Sequence, residues 1–376
     1  MTVDFCVIGG GIAGLTIARA LARGGVRIAL VERGEAGAGA GFVAAGMLAP
    51  LVEARLEERD VVGFGYEALR YYRTFIGELE AETGMGVGYR DEGTLIVATD
   101  RDQAGLLRHH FEEQEQLGLP VQWMSGYECR VHEPCLAPGI PGGIFSPEDR
   151  QLDNRALLAA LRTFCLRHPA VSLVEHAADV RIETPGEVRV GELVIEAERI
   201  VLATGARGDL LGRWAPRLAR AIRPVKGQIL RLDGSAMPLL SHVVRTPEVY
   251  LVPKANGTLV VGASSEDRGF DESITAGALY ELLRAAWECL PGIYELPVLE
   301  TRAGFRPATP DHAPMLGETG PHRLLLAMGY YRHGILFSPY AASLLAAWML
   351  GGERSRWLDT FSPERFHETH AERSLT

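Results

Sequence analysis

Val3-Asp4-Phe5-Cys6-Val7-Ile8-Gly9-Gly10-Gly11-Ile12-Ala13-Gly14 opens as an apolar run that passes at once into glycines. Asp4–Ile8 reads as a short strand buried on both faces. From Ile12 to Arg23 the apolar residues Ile12, Leu15, Ile17, Ala18, Leu21 and Ala22 recur at helical spacing, Gly24-Gly25 ends the helix, and Arg27–Val31 reads as a second buried strand. Within this β-turn-α-β unit, Gly9 permits the tight turn, Gly11 lets backbone approach a pyrophosphate, and Gly14 allows close helix–strand packing. The first turn of the helix, Ile12 and Ala13, offers free N–H groups and a partial positive charge to phosphates. Glu32, followed by Arg33, lies 18 residues after Gly14, close to the ~20 expected of the acid that binds ribose hydroxyls. An acid there disfavours a 2′-phosphate, and with it NADP.

The rest of the chain suits a soluble protein of ordinary composition. Its 376 residues exceed the usual ~100–200 per domain, so two domains are expected. A net charge of −10 without basic clusters argues against a nucleic-acid partner. The five cysteines form no CxxC pair and suit a reducing compartment. Met1-Thr2-Val3-Asp4 leads straight into the first strand, and the longest apolar stretch, Gly334–Leu350, is interrupted by Ser338, Pro339 and Ser343. A cytoplasmic location with no membrane segment is the expectation; a homo-oligomer is left open.

Helical patterns follow at Val61–Thr83, Gln103–Leu117 and Asn154–His168, with a strand at Arg199–Ala203. Between Val225 and Gly262 the pattern changes to strands with turn signals, then a helix near Ala276–Leu290 and a strand near Val298–Phe305. The chain returns to strand (Leu324–Ala327), glycine (Gly329) and helix (Ile335–Leu350). Parallel-type units at the start, middle and end, with antiparallel strands between, predict an α/β (α+β overall) protein of two interleaved domains. Residues 1–60, 145–222 and 307–365 are assigned to a Rossmann-like dinucleotide domain, 61–144 and 223–306 to an antiparallel-sheet substrate domain, and 366–376 to a polar tail.

Two further elements distinguish FAD from NAD. The strand ending in Ala203-Thr204-Gly205 offers close backbone passage to a ligand at Ala203 and Gly205, although Ala-Thr-Gly alone is a common tripeptide. Gly329-Tyr330-Tyr331-Arg332-His333-Gly334, ahead of the helix that begins at Ile335, aims a second helix N-terminus where it would stabilise charge on a reduced flavin. An NAD enzyme has no use for such an element.

Together with Ala44-Ala45-Gly46-Met47, Tyr250-Leu251-Val252-Pro253 and Ala303-Gly304-Phe305-Arg306-Pro307, these motifs resemble those of the D-amino acid oxidase superfamily of FAD enzymes, most of all the glycine oxidases of thiamine biosynthesis. The resemblance runs from about residue 4 to 350. It implies that Ala45, Gly46 and Met47 pass the flavin ring, and that Ala40, Gly41 and Val180 join the cofactor contacts with Gly329, Tyr331, Arg332, His333, Gly334 and Ile335. It implies further that Tyr250 and Arg306 grip the substrate carboxylate, with Arg332 at the same site. The chemistry agrees, because an Arg fork matches a carboxylate bidentately and a Tyr hydroxyl adds an oriented donor. Arg332 beside a helix N-terminus is unfavourable unless an anion sits nearby.

Departures narrow the branch. A sarcosine-oxidase-like enzyme would carry a flavin-linking cysteine where this chain has Gly304 and an oxygen-activating lysine where it has Val260. FAD is therefore expected to be held non-covalently. Arg302 replaces an aromatic residue common in glycine oxidases, and Glu248 shares a strand face with Tyr250, so both are candidates to reach the substrate. His367-Glu368-Thr369-His370 lacks the HExxH pattern, and no metal site is expected.

The resulting expectation is an FAD-dependent amino acid oxidase acting on glycine or a small D-amino acid or secondary amine. Hydride transfer to flavin N5 would give an imino acid and then a 2-oxo acid and ammonia, with O₂ reduced to hydrogen peroxide. A D-amino acid dehydrogenase passing electrons to a quinone or carrier is the alternative. A flavin-binding subunit without turnover is the third reading.

Overall fold

The computed structural model describes residues 1–51, 53–320 and 324–366; the polar tail from 367 onward, with its His367–His370 run, lies outside them. Its opening unit follows the sequence reading: strand Thr2–Ile8, helix Ile12–Arg23, strand Ile28–Val31. Both strands are almost entirely buried, as continuous apolar runs require when helices cover a parallel sheet on each side.

These strands lie at the centre of an eight-stranded sheet. Its main path runs Met315–Thr319, Leu324–Met328, Leu193–Leu202, Thr2–Ile8, Ile28–Val31, Val171–Val174. Every neighbouring pair on that path is parallel except the edge strand Met315–Thr319. The hairpin Val180–Thr184/Glu187–Val190 adds antiparallel strands beside Leu193–Leu202.

The second sheet, also of eight strands, runs Val298–Ala308, Arg223–Asp233, Thr258–Gly262, Tyr250–Pro253, Val243–Arg245, Thr94–Val97, Gly142–Ser146, Gln122–Ser125. All its pairings are antiparallel apart from Val243–Arg245 with Thr94–Val97. Helix Ala276–Cys289 covers one face through Leu282, Ala285, Ala286 and Cys289, which join a core of Leu230, Val244, Leu251 and Val261. The molecule is thus a mixed α/β protein, with a Rossmann-like sheet and a separate substrate-binding sheet woven from alternating stretches of chain.

Three boundaries differ from expectation. Helix Arg59–Thr83, assigned from residue 61 to the substrate domain, packs Phe64, Ala68, Tyr72, Phe75 and Leu79 into the core of the first sheet with Leu15, Leu336 and Phe337. Its amphipathic pattern dictates one buried face but not which sheet that face meets. The expected cut at 145 falls inside strand Gly142–Ser146, and strand Val298–Ala308 runs two residues past the cut at 306. Among the described residues no helix is long and apolar enough to cross a membrane.

Candidate active site

The glycine turn is shaped by close backbone approach. Gly9 takes φ +108°, where a Cβ would stand 2.4 Å from Ala203 O, and a Cβ on Gly14 would stand 1.7 Å from Gly9 O. Side chains at either position are excluded by the protein itself. Gly11 differs: a Cβ there meets nothing within 4 Å, and the helix it begins has no side-chain cap. The helix start at Ile12 and Ala13 thus leaves its N–H groups without a side-chain acceptor, as an anion cradle requires. Glu32 accepts hydrogen bonds from Gly10 N at 2.6 Å and Gly34 N at 2.8 Å, which fix its carboxylate beside the turn. Arg33 is exposed, and Val180 starts a strand whose approach (His176 and Ala177) is bonded to Gly34 O and Glu32 O.

Helix Gly334–Met349 is likewise uncapped by any side chain, and a Cβ on Gly334 would lie 4.0 Å from Ile12 Cγ2, so the two helix N-termini are adjacent. Ile335 is buried behind them and Gly329, at φ +75°, precedes them. Tyr331, at φ 45°, holds a conformation rare for a bulky residue and stacks on His312 at 4.5 Å. Ala40 and Gly41 open a short helix, Ala40–Val43, and Asn154 Nδ2 donates to Gly41 O at 2.8 Å. Ala45, Gly46 (φ +74°) and Met47 follow it. They run over Lys254, whose buried Nζ donates to Ala45 O and, at 2.8 Å, to Leu152 O. Burial pulls the Lys254 ammonium down to about 7, with Asp153 opposing and Arg231 and Arg90 reinforcing the shift. These residues suit an extended dinucleotide: two uncapped helix starts, an open glycine and an anchored acid.

The substrate sheet meets this cradle at one end. Tyr250 pairs across the ladder with Gly262, and the phenol lies against that glycine, where a Cβ would stand 2.5 Å from the hydroxyl. The Arg306 guanidinium crosses Gly227 in the neighbouring strand and donates to Ser264 O at 3.0 Å. The Arg306 guanidinium and the Tyr250 phenol are close enough for the positive charge to hold the phenol's pKa back. Burial raises the Tyr250 phenol while Arg306 and Arg245 hold it back, so it stays a protonated donor.

Arg245 stands directly opposite Tyr250 in the hairpin, which places both side chains on one face of the sheet. It is ion-paired with Glu53. Glu53 Oε2 also receives Arg332 Nε at 3.1 Å, and Arg332 Nη2 reaches Glu58 Oε2 at 3.0 Å. Burial opposes ionisation of Glu53, yet Arg245, Arg332 and His333 together hold its carboxyl down to about 2. Burial pulls His333 down to about 4, and its Nε2 accepts from Arg332 Nε at 3.2 Å. His333 is therefore neutral at neutral pH, and the lasting partners of Glu53 are the two arginines.

This geometry adjusts two of the expectations. Glu53 and Glu58 supply the anion that Arg332 needs beside a helix N-terminus. Arg302 and Glu248 are engaged elsewhere: Arg302 is half exposed, pairs with Glu300 and lies 5.3 Å over Phe42, while Glu248 pairs with Arg284 at 3.5 Å on the surface. Arg245, Glu53, Glu58 and Lys254 went unread in the sequence. Arg245 had a signal, since the short loop Thr246–Val249 fixes it opposite Tyr250; Glu53, Glu58 and Lys254 had none. No cluster of three potential metal ligands occurs among the described residues.

Residues 4–348 match the family model described as FAD dependent oxidoreductase. The crystal structure of glycine oxidase from Geobacillus kaustophilus superposes with a TM-score of 0.89 at 32% identity, covering 96% of this chain and 98% of that one. Iminodiacetate oxidase (IdaA) from Chelativorans sp. BNC1 superposes with a TM-score of 0.81 at 27% identity, covering 96% and 99%. The bifunctional protein ThiO/ThiG of Trichormus variabilis is 32% identical over 377 residues, covering 98% of this chain but 56% of that protein. The chain thus spans about half the length of such bifunctional relatives.

Proposed function

The chain belongs to the family of FAD dependent oxidoreductases, and on that premise we propose that it oxidises the Cα–N bond of a small amino acid, with glycine as first substrate. The observation that carries the proposal is the Tyr250–Arg306 pair, laid over two glycines at the end of the substrate sheet that faces the dinucleotide cradle. Its two kinds of donor match a carboxylate, and its glycine floor gives the phenol and the guanidinium the room they occupy.

FAD would be held by Gly11 and the helix starts at Ile12 and Gly334, by Glu32 at the ribose, and by the Ala45–Met47 backbone; when bound it supplies a hydride acceptor. Gly304 offers no thiol, and a Cβ there would stand 2.9 Å from Val43, so the attachment is read as non-covalent. Arg306 and Tyr250 orient the carboxylate and thereby fix Cα, so the contribution of the protein is positioning rather than acid–base transfer. The products in this reading are a 2-oxo acid, ammonia and, with O₂ as acceptor, hydrogen peroxide. The likeness to a protein named putative thiamine biosynthesis oxidoreductase ThiO in Rhizobium etli, 34% identical over 349 residues, supports a role in thiamine biosynthesis.

A second reading, a dicarboxylic secondary amine as substrate, draws on the three arginines at the site and on the likeness to iminodiacetate oxidase. Anaerobic mixing of the yellow protein with glycine, sarcosine, D-alanine, D-proline and iminodiacetate separates the two, and admitting air measures peroxide. Bleaching by glycine with stoichiometric peroxide is the expected result. Bleaching with little peroxide would indicate a dehydrogenase, and no bleaching by any amine would overturn the proposal.

A further inference from the structure

Arg245, Arg306 and Arg332 bring three positive charges to one end of the substrate sheet. Glu53 and Glu58, the carboxylates in contact with them, return two negative charges. The site is left with a single net positive charge, enough to match one carboxylate.

Glu53 holds that balance. It is 13% exposed, with one oxygen engaged by Arg245 and the other by Arg332. Its partner Arg245 stands opposite Tyr250 in the ladder, which ties Glu53 to the carboxylate grip through one residue. A substrate whose side chain carried a second anionic group would bring that group toward two arginines already neutralised, and toward the carboxylate that neutralises them. Like charges brought together in a poorly solvated site are strongly disfavoured.

We propose that Glu53 is a specificity-determining residue: it is a built-in counter-ion that fills the Arg245–Arg332 fork and so excludes dicarboxylic amines in favour of monocarboxylic ones. This rests on the reading of the site as an amino acid oxidase. Discrimination of this kind works through a repulsive element as much as an attractive one. Removing the Glu53 charge leaves the two arginines short of an anion, and a second substrate carboxylate then supplies it.

The test compares wild type with Glu53→Gln and Glu53→Ala. Steady-state kcat/KM is measured for glycine and for iminodiacetate, and binding of acetate and malonate is read from the flavin absorption band, which needs no turnover. Wild type is expected to favour glycine over iminodiacetate and acetate over malonate. Each variant should raise the iminodiacetate-to-glycine ratio by about tenfold or more, with a parallel gain in malonate affinity. Adding Arg245→Gln to Glu53→Gln should abolish that gain. A ratio unchanged in both variants, or parallel losses on both substrates, would overturn the proposal. So would a wild type that binds malonate as tightly as acetate, a comparison that stands even if neither variant folds. If no amine bleaches the wild type, the oxidase reading fails separately, and the acetate and malonate titrations still decide the role of Glu53.

Discussion

Gly227 lies beneath the guanidinium of Arg306: a Cβ at position 227 would stand 2.7 Å from both terminal nitrogens. The carboxylate grip therefore depends on a glycine in the neighbouring strand as well as on the arginine. Gly227→Ala should push the guanidinium off Ser264 O and Tyr250 and raise KM for glycine, while the circular dichroism of the sheet stays unchanged. A KM equal to wild type would mean that Arg306 does not bind the substrate in the position seen here.

Direct removal should cost more. Truncating one member of a buried charge pair costs about 2–5 kcal/mol, so Arg306→Ala should lower kcat/KM roughly 30-fold to several-thousand-fold. Tyr250→Phe removes one hydrogen bond to a charged group, worth about 1.5–3 kcal/mol, and should fall about ten- to a hundredfold. Steady-state kinetics on glycine check both, and a Tyr250→Phe enzyme as impaired as Arg306→Ala would assign the phenol a larger role than carboxylate binding.

Gly11 and Gly14 separate cofactor binding from folding. Gly11→Ala meets no protein atom, so its unfolding temperature without FAD should match wild type while FAD affinity falls, because the added methyl enters space kept for the pyrophosphate. Gly14→Ala collides with Gly9 O and should lose both. Differential scanning fluorimetry with and without added FAD reads the two effects. An FAD affinity unchanged in Gly11→Ala would move the phosphates elsewhere.

Lys254 carries a pH signature. Its folded-state pKa, near 7, lies below the ordinary 10.5, so between those values the unfolded chain binds the extra proton. Stability contributed by this group must therefore rise as pH increases from 7 toward 10, by an amount on the order of a few kcal/mol. Chemical denaturation at a series of pH values should show that rise in wild type and a flatter profile in Lys254→Met. Identical slopes would remove Lys254 as the source.

Glu53 and His333 set the opposite limit. The Glu53 carboxyl is held near 2 and His333 near 4, so neither changes charge between pH 5 and 8. In Lys254→Met, which lacks the group held near 7, acetate binding should be constant from pH 6 to 8, and the stability that ionised Glu53 contributes should fade only as pH drops from 4.5 toward 2. An inflection in acetate affinity near pH 6.5 would show His333 titrating with an ordinary pKa.

Much of this architecture is local and was therefore readable. The turn Gly9–Gly14 is dictated by backbone sterics, and the ends of helices such as Arg59–Thr83 follow from glycines: Gly84 closes that helix at φ +72°. Tyr250 and Arg306 were identified because each sits in a short motif. The side of the molecule to which Arg59–Thr83 packs was not readable, because an apolar stripe carries no address. The same holds for Arg302, whose neighbour Glu300 was not readable, and for Glu248, which lies in the bend before strand Tyr250–Pro253 rather than on its face and pairs with Arg284.

The opening sequence by itself determined that this chain begins with a dinucleotide-binding type of fold, since the strand, the glycines and Glu32 act within 32 residues through φ limits, helix termini and spacing. Only the tertiary structure decided the electrostatics of the substrate end. Glu53 meets Arg245 across 192 positions of sequence and Lys254 meets Ala45 across 209. Pairings of that range are created where the chain around Ala45 and Glu53 meets the second sheet, and a charge buried there takes its effect from partners that no local pattern brings together.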